Sequence, residues 1–259
     1  MATSLSPNAG AVLLSAGAMQ IVNIASASGI FHYNWKDRGT APHGYIKGMA
    51  LCYARVYSHF NTSDPAAIEM AKANTGDDNR DALSWYNDIF DAAGMDNSQD
   101  GVDTLRHLFV LLTGLGMRES SGTYCEGRDT TATNETAETA EAGLFQASYN
   151  ARHASPLMQP IFSQYMASPN GFLSVFQEGV RCSPANLENF GAGDGADYQQ
   201  LCKTCPAFAV EFAAVGLRNI RQHWGPIIRK QAEVRPECDD MFRQVQDSVD
   251  TFGLSPDIA

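Results

Sequence analysis

The chain has 259 residues, of which 44% are hydrophobic and 18% charged, a composition typical of a folded globular protein and too apolar for intrinsic disorder. No run of about 18 uninterrupted apolar residues occurs, so we expect no membrane-spanning helix and no membrane insertion. With 18 Lys and Arg against 29 Asp and Glu the net charge is −11, which argues against nucleic acid or an anionic membrane surface as the main partner and leaves neutral and cationic ligands open.

The first hundred residues are predicted to form an extended N-terminal helical region. Apolar residues recur at three- and four-residue steps over about 44–60, which indicates a helix. Asp64 followed by Pro65 is a typical helix start, because Asp caps backbone N–H groups and Pro is favoured at the first helical position. A short helix should run from there towards Ala73, and another is expected over about 77–94. Residues 1–43 give the least definite pattern.

The rest of the chain continues the helical pattern around one unusually apolar segment. Helices are predicted over about 103–118, near 155–180 and over about 236–250, with a loop or small hairpin region at 122–142 and a loop at 181–200. Residues 206–224 are apolar on nearly every side until Arg218, and such a helix belongs in the middle of a large domain. Because no linker-like composition interrupts the chain, we expect a single mainly α domain over 1–259.

The cysteines indicate the compartment. Six cysteines, even in number and scattered, are typical of disulfides in an exported protein. We expect at least one bridge, between Cys125 in the 122–142 segment and Cys182 in the 181–200 loop. Cys202 and Cys205 form a CxxC pair without a second ligand pair, so no metal site is expected. The first residues carry no basic stretch ahead of Ala11, so no signal peptide is expected in them. The predicted location is secreted or periplasmic.

Glu119 is the leading candidate for chemistry, because it directly follows the apolar stripe of the 103–118 helix. Burial against that stripe and the negative end of the helix dipole both disfavour the charged carboxylate, so both raise its pKa. A general acid needs such a pKa in order to hold a proton at neutral pH. On position alone, the alternative is an exposed Glu in a turn.

The stretch Glu-Ser-Ser-Gly at 119–122, followed 24 residues on by Gly-Leu-Phe-Gln at 143–146, resembles the lysozyme superfamily, in particular goose-type lysozymes and lytic transglycosylases. The resemblance covers about 116–150. It implies a lysozyme-like two-lobed fold, with a small β-hairpin region between helical lobes and a long buried central helix, and it implies that Glu119 is the general acid. Ala147 and Ser148 stand where goose-type enzymes carry a carboxylate, and most of the surplus length lies before residue 100, which indicates a divergent member.

The sequence offers several candidates for the second catalytic carboxylate and does not choose among them. Glycosidases pair an acid with a base or nucleophile, and the loop after Glu119 offers several acids. Asp129 follows Glu119 by ten residues, close to the spacing of phage-type lysozymes, and Arg128 beside it would keep it ionised. Glu138 and Glu141 follow by 19 and 22 residues, nearer to the spacing of other branches. With no second acid the chemistry would be that of a lytic transglycosylase. The remaining acids of the loop are Glu126 and Glu135.

Neighbouring polar and aromatic residues are candidates for binding the sugar. Gln146 and Ser148 are placed to hydrogen bond sugar hydroxyls, with capping of their own loop as the alternative. The remaining candidate substrate-binding residues flank or belong to the two motifs, and they are Ser120, Tyr124, Tyr149 and Asn150. The aromatic members would form walls against a sugar ring, or would instead belong to the core.

The function implied by the resemblance is cleavage of a β-linked amino-sugar polysaccharide by carboxylate general acid/base catalysis. Such a glycoside hydrolase needs carboxylates and water, so no cofactor is expected, and the partner is a polysaccharide. A lytic transglycosylase acting on peptidoglycan is one alternative, and a catalytically inactive glycan-binding protein of the same fold is another. Since lysozymes that attack anionic walls tend to be basic and this chain is acidic, chitin and chitosan stand beside peptidoglycan as expected substrates.

Overall fold

A computed structural model describes residues 14–131 and 136–253. The first thirteen residues, in which we expected no signal peptide, and the candidate acid Glu135 lie outside the described residues. In the described ranges, no helix is long and apolar enough to cross a membrane.

Helices make up most of the described chain, which confirms the mainly α class. In chain order they are α1 (Ala16–Ala27), α2 (His43–Asn61), α3 (Pro65–Met70), α4 (Ala82–Trp85), α5 (Asn87–Ala92), α6 (Val102–Ser120), α7 (Met158–Ala167), α8 (Leu173–Phe176), α9 (Pro184–Leu187), α10 (Asp194–Thr204), α11 (Pro206–Asn219), α12 (Gly225–Ile228) and α13 (Pro236–Phe252). Short 3₁₀ helices occur at Gly29–His32, Tyr149–Ala154 and Arg221–His223.

Helix α11 is the predicted central helix. Every residue from Pro206 to Arg218 is buried, because α2, α3, α4, α6, α7 and α10 all pack against it. The helix ends at Asn219, five residues before the predicted end at 224, and the last predicted residues form a 3₁₀ turn. The all-round apolar sequence therefore marks the middle of the domain, as expected.

Two buried charges on α11 are hydrogen bonded. The hydroxyl of Tyr165 donates to Glu211 over 2.6 Å, and Arg55 donates to the same hydroxyl over 3.3 Å. Arg218 pairs with the fully buried Asp81, its Nε and Nη2 lying 2.9 and 3.0 Å from the two carboxylate oxygens. A buried charge without a partner is strongly destabilising, so these contacts are what allow the charges inside the core.

The resemblance implied a small hairpin region between helical lobes, and 122–142 was its candidate. The only strands in the described residues instead lie before α2. β1 (Asn34–Trp35) pairs antiparallel with β2 (Gly39–Thr40), Trp35 opposite Gly39. The described part of 122–142 is a loop with turns, and its one bridge pairs Ala142 with Ala147. A two-residue hairpin is too short to leave an alternating pattern, which is why the sequence did not reveal it.

Other boundaries differ from the predictions in three places. The expected loop at 181–200 contains α9 and the start of α10. The helices expected at 77–94 and 155–180 are each broken into two, α4 with α5 and α7 with α8. In the poorly patterned first 43 residues the structure places α1, which buries Ile21 and Ala25 against α2 and α13.

Candidate active site

Glu119 lies in the last turn of α6, which ends at Ser120, two residues beyond the predicted end. The helix ends because Ser121 adopts a left-handed conformation and Gly122 follows with φ +75°. The Gly122 N–H donates back to the Gly116 carbonyl over 3.2 Å, which is a common helix-ending motif. A Cβ at position 122 would lie 2.9 Å from the Tyr45 ring, so both the backbone conformation and the space favour glycine here.

The two motif segments are in direct contact. The Ser120 hydroxyl lies 2.9 Å from the Leu144 carbonyl oxygen and 3.0 Å from that of Gly116, so it joins the end of α6 to the second motif. The Trp224 indole N–H donates to the Phe145 carbonyl over 2.8 Å. The end of α6, the second motif and Trp224 are thus hydrogen bonded to one another. Glu119 belongs to the first of these segments.

Glu119 has the electrostatics of a general acid. Its side chain is half-buried, and burial together with the negative charge of Glu141 raises its pKa to about 7. The positive charges of Arg229 and Arg38 act in the opposite direction. At neutral pH a substantial fraction of the carboxyl therefore retains its proton, and the alternative of a fully solvated Glu in a turn does not describe this position.

Glu141 is the candidate second acid that the structure brings to Glu119. It is half-buried and comes directly before the 142–147 bridge. Its negative charge raises the pKa of Glu119, so the two carboxyl groups interact electrostatically. When one acid destabilises the ionised form of another, their protonation states separate, as acid and base roles require.

The other candidate acids have different surroundings. Asp129 is exposed, and its carboxylate accepts hydrogen bonds from the Thr131 N–H and hydroxyl, which lower its pKa. Glu138 is also exposed, and it pairs with Arg152 over 3.2 Å. Glu126 is half-buried and accepts a hydrogen bond from Asn186 over 3.4 Å. None of these three charges is among those that shift the pKa of Glu119.

Ser120, Gln146 and Ser148 make contacts within the protein. The Ser120 hydroxyl is buried in the contact with Leu144. Gln146, in a left-handed conformation at φ +45°, donates from its amide to the Gly143 carbonyl over 3.1 Å. The Ser148 hydroxyl is buried and bonds to the Asn150 side chain over 2.7 Å. In the observed arrangement these groups shape the second motif, and Gln146 takes the loop-capping role that was its alternative.

The predicted aromatic walls are mostly core. Tyr124 and Tyr149 are 6% and 2% exposed, which leaves little ring surface for a sugar. The Tyr149 hydroxyl donates towards Gln159 and Asp194, and Arg152 stacks on its ring at 3.8 Å. Asn150 is exposed, but its side chain accepts the hydrogen bond from Ser148.

Sequence reasoning missed a basic cavity near the end of α6, although neither Glu119 nor Glu141 lines it. It has a volume of about 460 Å³ and is bordered by Arg118, the residue before Glu119, and by Arg229, whose charge acts on the Glu119 carboxyl. Its lining residues are Lys36, Ile89, Arg118, Arg229, Lys230, Gln231, Ala232, Glu233, Val234 and Arg235. The residues that line this cavity therefore carry a net positive charge, although the net charge of the whole chain is negative. The sequence did contain one indication of a basic surface, since five of the 18 Lys and Arg residues fall within 218–235.

The predicted disulfide between Cys125 and Cys182 is confirmed, with the two Cα atoms 6.0 Å apart. It joins the loop after Glu119 to the segment leading into α9. The CxxC thiols are buried and free, and burial raises the pKa of Cys202 to about 12 and that of Cys205 to about 11. Within the described residues, no group of three or more His, Cys, Asp or Glu side chains is arranged to hold a metal ion.

Comparison with known proteins gives no match to a family model, to a curated protein or to a solved structure.

Proposed function

We propose that this protein is a glycoside hydrolase that cleaves β-linked amino-sugar polysaccharides, with Glu119 as the general acid. The single observation that carries the proposal is the half-buried carboxyl of Glu119 at the end of α6, with a pKa of about 7. The resemblance of the two motifs to the lysozyme superfamily supplies the reaction class. Their contact through Ser120 and Leu144 supports a lysozyme-like arrangement around the site.

In the proposed reaction, protonated Glu119 donates its proton to the glycosidic oxygen as the bond to the anomeric carbon breaks. The leaving sugar departs as an alcohol, and positive charge develops on the remaining sugar ring. General acid assistance of this kind typically contributes about 10²–10⁴-fold to the rate.

Glu141 is the proposed second carboxylate. Its negative charge raises the pKa of Glu119 and so favours the protonated form of that carboxyl. It can then accept a proton from the water that attacks the anomeric carbon. This pairing favours a hydrolase over a lytic transglycosylase, in which a single Glu would serve as both acid and base.

Export to an oxidising compartment is also proposed. The Cys125–Cys182 bridge supports it, because disulfides persist mainly outside the reducing cytosol.

The test is incubation of the purified protein with peptidoglycan, chitin and chitosan, followed by mass analysis of the soluble products. We expect at least one polymer to yield fragments with ordinary reducing ends. Fragments one water lighter would identify a lytic transglycosylase instead. Binding without cleavage of any of the three polymers would contradict the enzymatic proposal and leave a glycan-binding protein of the same fold.

A further inference from the structure

The turn of the β1–β2 hairpin, formed by Lys36, Asp37 and Arg38, lies against the end of α6, the helix that carries Glu119. The Arg38 guanidinium donates from Nη2 to the backbone carbonyl of Arg118 over 2.5 Å. In return, Nη1 of Arg118 donates to the Lys36 carbonyl over 3.2 Å and lies 3.6 Å from the Asp37 carboxylate. Contacts in both directions therefore join this turn to the residue that directly precedes Glu119.

Arg38 supplies a hydrogen bond that the helix itself does not. The Arg118 carbonyl is one of the last four of α6, and such carbonyls have no N–H partner one turn further along the helix. The N–H groups of the two residues after the helix donate to Met117 and Gly116 instead. A cation at this position is favourable, because the C-terminal end of a helix carries partial negative charge.

The hairpin is also anchored on the side away from α6. Glu233 accepts hydrogen bonds from the Tyr33 hydroxyl and from the Lys36 backbone N–H, each over 2.8 Å. Trp35 is buried, and the Tyr33 ring packs edge-on against it at 5.2 Å. The Arg38 N–H closes the turn by donating to the Trp35 carbonyl over 3.0 Å. The Arg38 side chain is exposed, but it extends from a backbone that these contacts hold in place.

Charges from three other segments act on the Glu119 carboxyl. They belong to Arg38 in the hairpin turn, to Arg229 after α12 and to Glu141 in the loop after α6. Glu141 favours the protonated form, whereas the two arginines favour the carboxylate. On α6 itself, the charge of Arg118 lies against the hairpin turn. When an acid gives up its proton it becomes a carboxylate, so a cation held beside it stabilises the product of that step.

We propose that Arg38 is a positioning residue for the reaction at Glu119: bonded to the end of α6, it holds a positive charge that stabilises the carboxylate left when Glu119 gives its proton to the glycosidic oxygen. The inference deepens the proposed function and rests on it for the reaction. Arg38 acts through Glu119 and not on the glycan. The hairpin that the sequence pattern did not reveal thereby becomes part of the site.

The Glu119 titration in Arg38→Gln tests the charge directly. The carboxyl ¹³C shift of Glu119, followed through pH at low ionic strength without substrate, gives a midpoint near 7 in the wild type. We expect the midpoint to rise by about 0.2–0.7 of a pH unit in Arg38→Gln, the size typical of an exposed charge interaction. Arg38→Lys keeps the charge and should titrate closer to the wild type. Added salt should shrink the difference between the wild type and Arg38→Gln.

Arg80→Gln is the matched control. Arg80 is also exposed, and its Nε donates to the carbonyl of Asn219, the last residue of α11, over 3.4 Å. It thus resembles Arg38 in charge, exposure and contact with a helix end, but its charge is not among those that act on Glu119. The Glu119 midpoint should therefore stay in place in Arg80→Gln.

The pH dependence of glycan cleavage separates this role from a merely structural one. In Arg38→Gln the fall of the rate at high pH should move upwards with the Glu119 midpoint, whereas a loosened helix end would lower the rate at every pH and leave the fall in place. An unchanged or lower midpoint in Arg38→Gln overturns the inference, as does an equal rise in Arg80→Gln or an Arg38→Lys midpoint that matches Arg38→Gln. Because the titration needs no turnover, failure of Glu119 as the acid would appear separately, as cleavage that persists in Glu119→Gln.

Discussion

The hydroxyl of Ser120 lies 2.9 Å from the carbonyl oxygen of Leu144, and this contact joins the helix that carries Glu119 to the second motif. Ser120 is 6% exposed, so this hydrogen bond is buried. The Ser of the Glu-Ser pair thus holds the end of α6 against the second motif.

Ser120→Ala should lower the free energy of unfolding by about 1–3 kcal/mol, because it leaves the buried Leu144 carbonyl without this donor. Urea denaturation measures the change. Ser26→Ala is the control, since the Ser26 hydroxyl bonds only to the Val22 carbonyl of its own helix, at 2.7 Å, and should cost clearly less. Equal losses for the two variants would contradict a special role for the Ser120 contact.

Glu141→Gln should lower the pKa of Glu119 from about 7 towards the ordinary Glu value, because the neighbouring negative charge is removed. The carboxyl ¹³C shift of Glu119, followed through a pH titration, measures it. Glu138→Gln removes the same charge from an exposed residue paired with Arg152 and should leave the titration in place. A shift caused by Glu138→Gln and not by Glu141→Gln would show that the pairing is wrong.

Glu119→Gln should stabilise the protein at neutral pH. Because the folded pKa of Glu119 lies above the unfolded value, ionisation destabilises the fold as the pH rises through about 4.5, and the penalty is complete above about 7. The variant and the wild type should therefore be equally stable near pH 4 and differ by at most roughly 3 kcal/mol above pH 7. Thermal or urea unfolding across this range checks it, and a variant that is less stable at pH 8 would contradict it.

The sequence predicted the main helices and the position of Glu119 at the end of one of them. The stripe in 103–118 and the apolar run after Pro206 predicted α6 and α11, because long helices repeat their buried face many times. Glu141 was one of several candidate acids in the sequence, but the positive charges that act on Glu119, those of Arg229 and Arg38, could not be predicted. Arg229 lies 110 residues after Glu119 in the sequence, and only the fold brings the two charges together. Likewise the start of α10 was predicted as loop, because the glycines before it dominate the pattern and Gly193 directly precedes the first residue of the helix.

Free-thiol counting under denaturing, non-reducing conditions should give four thiols per chain, from Cys52, Cys202, Cys205 and Cys238. Reduction of the Cys125–Cys182 bridge should lower the free energy of unfolding by up to about 4 kcal/mol, because a closed loop with a separation of 57 residues restricts the unfolded chain. Urea unfolding with and without reductant measures the loss. Six titratable thiols would contradict the bridge.

The most direct measurement of the central claim is the rate of glycan cleavage by Glu119→Gln beside wild type and Glu138→Gln, on the polymer that the wild type cleaves fastest. We expect the wild-type rate to fall as the pH rises through about 7, where Glu119 loses its proton. Loss of the acid should reduce the rate of Glu119→Gln by about 10²–10⁴-fold or more, with glycan binding retained and Glu138→Gln near wild type. A Glu119→Gln protein with near-full activity would show that Glu119 is not the proton donor.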